Sequence, residues 1–244
     1  IELYIKNCII IKHSFMDIKK DKWYKPEIDK EVLKKLSKKS NIKGLIHVSF
    51  FFGFLILVGL VCFYTWGTWW SLLWFYIYGN IYCFCNPIWH ETGHNTAFKT
   101  KFLNEIFYYI SCFMAFFEPT RWRFTHFVHH GNTYSTKNPY DHEIEYDNNL
   151  KDTPKKLIMN LIPFGELLFF KKSIAFEVIK HAFGIQTKVM IDSIPESARP
   201  RAILISRIYV GIWLSIIIWS LLISSWLPAI ISFVATIITE KELH

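Results

Sequence analysis

The sequence predicts an all-α integral membrane protein, a four-transmembrane-helix bundle with interfacial helices and a cytoplasmic histidine cluster. Three observations predict it. No Asp, Glu, Lys or Arg occurs from Gly44 to Trp89, a run of 46 residues, and about 20 apolar residues suffice for one membrane helix. A second uncharged run, Ile208–Thr239, has 32 residues. Apolar residues make up 52% and aromatics 18% of the 244-residue chain, which turns a length suited to one or two soluble domains into a membrane reading.

Residues 1–43 form a basic N-terminal segment with 12 Lys, no Arg and six acidic residues, and with helical patterning around Val32–Leu36. Residues 44–244 form the membrane domain. Its first two spans, about 44–64 and 69–89, are joined by Thr65-Trp66-Gly67-Thr68, where Trp66, Trp69 and Trp70 suit an interfacial belt. Ile106–Phe117 is apolar for only 12 residues. That is roughly 18 Å of helix against a hydrocarbon core of about 30 Å, so it is expected to lie in the interface or re-enter. The segment 90–201 then stays on one side. Its part Leu157–Phe183 is amphipathic, with paired lysines at 171 and 172, and suits an interfacial helix. The third span is about 202–223, with Arg207 one turn inside and able to snorkel. The fourth, about 228–240, is short and is expected to be truncated. The chain begins with Ile, which together with that short span predicts a fragment.

The formal net charge of +8 could suggest nucleic acid. The lysines instead flank the spans and lack a folded soluble platform, so no nucleic-acid partner is expected. The turns Thr65–Thr68 and Ser224–Leu227 carry no charge. That asymmetry predicts a cytoplasmic N-terminus and cytoplasmic histidines. No C-x-x-C pair occurs among the five cysteines, Cys8, Cys62, Cys83, Cys85 and Cys112. They are expected to be reduced and largely buried.

Two histidine groups carry the chemistry: His90-Glu91-Thr92-Gly93-His94 and His126-Phe127-Val128-His129-His130. On a helix, positions four apart share a face, so His90 and His94 pair, as do His126 and His130, with His129 adding an i+3 neighbour. Without a crossing between them, both groups lie on one side and can converge on a transition metal. His142 is a possible further ligand or supporting group, and Asp141, Glu143 and Glu145 are possible acceptors for ligand N–H groups. His47 is read as interfacial, and His181 as lying on the polar face of its helix. Arg121 and Arg123 could hold a substrate headgroup or an electron carrier, or pair with nearby carboxylates. The aromatic stripe Trp74, Phe75, Tyr76, Tyr78, Tyr82 and Phe84 could line an acyl tunnel or simply pack.

One alternative starts from His90-Glu91-x-x-His94 alone, the pattern of a zinc metalloprotease with Glu91 as general base and a downstream third ligand such as Glu143. It leaves the second group unexplained.

Taken together, H-E-T-G-H after a membrane hairpin and R-W-R-F-T-H-F-V-H-H-G-N-T after a short apolar helix resemble the first two histidine boxes of the membrane fatty acid desaturase and hydroxylase family. Thr96-Ala97-Phe98-Lys99-Thr100 and Ile194-Pro195-Glu196-Ser197-Ala198-Arg199-Pro200 agree with it. The phrasing is most similar to the bacterial branch with rhizopine-oxygenase-like and dihydrorhizobitoxine-desaturase-like proteins, over roughly residues 45–240. The resemblance implies a diiron centre with His90 and His94 as box one and His126, His129 and His130 as box two. It further implies O2 activation with electrons from a separate donor of ferredoxin or cytochrome b5 type. The substrate implied is a C–H bond of a lipid or fatty-acyl chain, left as a double bond or a hydroxyl. The family's third box has no counterpart here, since only His244 follows His181. The chain is therefore expected to be an incomplete or degenerate member, inactive as it stands.

Overall fold

The computed structural model describes residues 27–132, 142–143 and 174–240, with side chains described as far as residue 233. Asp141, Glu145, Cys8 and the part of the amphipathic segment before Ile174 lie outside the described residues. Every regular element among the described residues is helical.

A short exposed helix α1, Lys30–Leu36, is capped by Asp29, whose carboxylate accepts from the Glu31 and Val32 amides. Helix α2, at the first expected span, runs Asn41–Tyr64, and the Ser40 hydroxyl caps it. Its 24 residues rise about 36 Å. It stops where the Thr65 hydroxyl turns back to the Val61 carbonyl at 2.8 Å and Gly67 takes φ +82°.

The second expected span, about 69–89, is not one helix. It divides into α3, Trp70–Tyr82, and α4, Cys85–Gly93. Pro87 is the physical reason. Having no N–H, it cannot bond the Cys83 carbonyl four residues earlier, and its ring would clash there. The Cys83 carbonyl instead accepts from the Asn86 amide at 3.0 Å, and the axis breaks at Cys83–Phe84. The segment expected to span at 69–89 is thus built of two helices, of 13 and nine residues, rather than one.

Helix α5, Lys101–Met114, packs along α4. It buries Asn104, Tyr108, Ser111 and Cys112, leaving Phe102, Ile106 and Ile110 exposed. The left-handed Phe116 (φ +58°) redirects the chain into α6, Pro119–Asn132. Proline suits the first turn of α6. The Glu118 carboxylate caps α6 by accepting from the Thr120 amide at 2.9 Å and the Arg121 amide at 2.6 Å.

The later part of the chain gives α7 (Ile174–Ala182), α8 (Lys188–Ser193), a 3-10 turn (Glu196–Ala198), α9 (Arg199–Leu222) and α10 (Leu227–Glu240). Helices α7 and α10 pack on α9, and α10 also packs on α3.

Among the described residues, two helices are long and apolar enough to cross a membrane, Asn41–Tyr64 and the 27 residues Glu196–Leu222. Only 22% and 28% of their most apolar windows are buried. Leu57, Leu60 and Phe63 on α2, and Leu214, Ile218 and Leu221 on α9, are exposed. Apolar side chains on an outer face need a non-aqueous neighbour. The main core joins α2 to α6 through Val58, Tyr78, Tyr82, Trp89, Tyr108 and Phe117. A second core, with Phe116, Val178, Tyr209 and Trp213, ties in α7 and α9. Cys62, Cys83, Cys85 and Cys112 are buried, as expected of them.

Candidate metal centre

His90 stands in the last turn of α4, and His94 is its C-terminal cap residue; His126 and His130 lie four apart on α6. An aromatic wedge sets the two helices against one another beneath the rings. Trp89 lies 5.2 Å from Phe117, 5.3 Å from Trp122 and 5.5 Å from His126 between ring centroids. Phe117 stacks on Trp122 at 3.9 Å.

The two boxes meet. One ring nitrogen from each of His90, His94, His126 and His130 lies within 4.8 Å of the others. The Nε2 atoms of His94 and His126 are 3.1 Å apart, those of His94 and His130 3.1 Å, and those of His126 and His130 3.0 Å. Hydrogen bonds cannot satisfy that triangle. Each contact needs one donor and one acceptor, and three nitrogens with one role each always leave a like pair. A cation about 2 Å from each nitrogen satisfies all three lone pairs at once, so the donor set fits a transition metal.

Protonation agrees. Burial, with His126 and His94 as neighbours, pushes the His90 imidazole down to about 4. Burial and the His126 ring also lower His94 and His130. Lowered in this way, the rings of His90, His94 and His130 favour the neutral form that a metal requires. His126 Nδ1 lies 2.9 Å from Glu143 Oε2, which puts the proton on Nδ1 and turns the Nε2 lone pair to the cluster. Glu143 also accepts from the Thr125 hydroxyl at 3.3 Å.

The loop after His94 is pinned from two sides. Asn104 accepts from the Phe98 amide at 3.1 Å and donates to the Phe98 carbonyl at 2.9 Å. Asn41 at the head of α2 exchanges two hydrogen bonds with Thr100, at 2.6 and 2.9 Å. Gly44 permits the approach, because a Cβ there would stand 2.6 Å from the Phe98 ring. Asn95 takes φ +59°, and the Thr96 hydroxyl donates to the Glu91 carboxylate.

Other candidates resolve differently. The His129 ring lies beside the four, 6.0 Å from His126 and 5.8 Å from His130. His142 Nε2 lies 3.0 Å from Asp192 Oδ2, away from the cluster. His47 is exposed. His181 does not stand on a polar outer face: it is 1% exposed, with Nε2 2.9 Å from the Thr187 hydroxyl, because α7 packs that side on α9. Both arginines are held internally, Arg121 to Glu177 at 3.2 Å and Arg123 to Glu105 at 3.0 Å. Arg207 donates to the Ala182 carbonyl at 2.9 Å. In the aromatic stripe, Tyr76 and Phe84 point outward while Tyr78 and Tyr82 are buried. The buried cap Glu118 is not legible in the sequence, because glutamate is not a favoured N-cap residue and only Pro119 marks the helix start.

No curated protein and no solved structure matches the chain. The family model described as fatty acid desaturase matches residues 64–240, which contain both histidine groups and most of the helices. With that match over most of its length, this chain belongs to the fatty acid desaturase family.

Proposed function

We propose that the protein is a non-haem iron, O2-dependent oxidoreductase acting on C–H bonds of a lipid or fatty-acyl chain, as a desaturase or hydroxylase. The observation that carries this is the convergence of four imidazoles from two separate helices, within 4.8 Å, in a chain of the desaturase family. His90, His94, His126 and His130 hold one iron, and His129 is assigned to a second. Iron bound there supplies activation of O2 and removal of hydrogen from an unactivated C–H bond.

The chain's own residues hold and shield that centre. Glu143 orients His126, while Trp89, Phe117 and Trp122 cover its inner side. An apolar cavity of about 130 Å³ lies between α3, α5, α9 and α10, lined by Tyr78, Tyr82, Phe113, Phe116 and Trp213 among others. We assign it to the acyl chain. Helices α2 and α9 cross the bilayer with the cluster facing the cytoplasm, and further crossings come from the α3–α4 and α10 regions. The electrons come from a separate ferredoxin or cytochrome b5 type partner. The zinc-protease alternative is disfavoured, because His126 and His130 stand 3.1 Å from His94 and any ion at box one meets them.

The test is iron loading of the full chain in detergent. Iron is expected to bind and to be lost in His94→Ala and His126→Ala. Zinc binding that is indifferent to His126→Ala and His130→Ala would contradict the proposal.

A further inference from the structure

Residues 142 and 143 face two ways. Glu143 meets His126 in the cluster, and its neighbour His142 donates from Nε2 to Asp192 Oδ2 at 3.0 Å. His142 and Asp192 are fifty positions apart, and their side chains are only 16% and 14% exposed. A casual surface pair is freely solvated and contributes little. This pair is mostly shielded and continues directly into the carboxylate that holds a candidate ligand.

The helix carrying Asp192 is fixed at both ends. The Thr187 hydroxyl caps α8 and also meets the buried His181. At the other end the Arg199 guanidinium donates to the Ile191 carbonyl at 3.2 Å and the Ile194 carbonyl at 3.0 Å. Met190 and Ile194 pack into a small core with Phe124 and Ala202, and Phe124 lies on the same helix as His126. Six residues of helix have little stability of their own, so these contacts define where Asp192 sits.

We propose that Asp192 is a positioning residue for the histidine cluster: through His142 it fixes the 142–143 segment so that the Glu143 carboxylate meets His126 Nδ1. The inference rests on the metal-centre reading above and adds a remote anchor to it. Asp192 touches no candidate ligand. It acts on the tautomer and ring orientation of His126, two features that set how well an imidazole binds a metal.

The test is Co(II) titration of the full chain in detergent, read by visible absorption, with melting of the metal-free protein followed in parallel. Asp192→Leu keeps the branched shape and removes the acceptor; it is expected to weaken Co(II) binding about tenfold. Asp192→Asn, which still accepts from His142, is expected to restore it. His142→Leu is expected to give the same loss from the other end, should Asp192→Leu fail to fold. Adding Asp192→Leu to Glu143→Leu is expected to weaken binding no further, since both act on one contact. Parental Co(II) affinity in Asp192→Leu, with or without a lowered melting temperature, would overturn the anchor alone. A parent chain that binds no Co(II) would overturn the metal centre, and the anchor with it.

Discussion

Single residues decide whether the cluster is a ligand set or a packing accident. His90, His94 and His130 are all pushed below the ordinary imidazole range, with burial the largest cause. Protons therefore compete weakly with metal at neutral pH. Metal occupancy is expected to stay level on acidification to about 6.5, then fall toward 4, as dialysis against buffered metal would show. Glu143→Gln keeps an acceptor but removes the charge facing His126. We expect a metal affinity roughly tenfold lower, measured by competition with a chromophoric chelator. His181 gives an independent pH signal. Burial depresses it to about 4 from 6.5. A depressed imidazole contributes stability that is complete above its unfolded value and is lost as pH falls through its folded one. Thermal stability is thus expected to decline from pH 6.5 toward 4, and His181→Gln to flatten that decline. The spacing His90/His94 and His126/His130 was legible because helical periodicity is local. The burial of His181 was not, since it depends on α9 packing across α7.

Elements position those residues. Pro87 was visible within Cys85-Asn86-Pro87, yet an uncharged run reads as one span when hydropathy is averaged over it. The break follows from one missing amide, which averaging cannot register. Pro87→Ala restores that amide, and α3 and α4 are expected to fuse across Cys83, swinging His90 away from His126. Loss of metal affinity with gain in helical circular dichroism would check this. The N-terminus of α2 is a second such element. Gly44→Val would drive a side chain into the Phe98 ring and the Ala97 carbonyl, 2.6 and 2.7 Å from a Cβ. A destabilisation of about 1–3 kcal/mol is expected in denaturant titration. The contact spans the loop that follows His94 and joins residues far apart in sequence, so no local pattern announces it. Arg121 and Arg123 are similar: the sequence left headgroup binding and internal pairing open, and the packed positions of Glu177 and Glu105 decide for pairing.

For the molecule as a whole, the helical class and the apolar outer surface of α2 and α9 were legible in composition and charge spacing. The number of crossings was not, because α3, α4 and α10 have 13, nine and 14 residues. Each of these rises at most about 21 Å, short of a hydrocarbon core by itself. The match to the desaturase family covers the residues that carry both histidine groups. Everything functional therefore turns on whether four imidazoles from α4 and α6 share a bound metal. X-ray absorption at the iron edge of the iron-loaded full chain measures this directly. The expected spectrum shows an inner shell of imidazole nitrogens, with their outer-ring scattering diminished in His94→Ala. An iron-free protein, or bound iron whose shell lacks imidazole scattering, would contradict it.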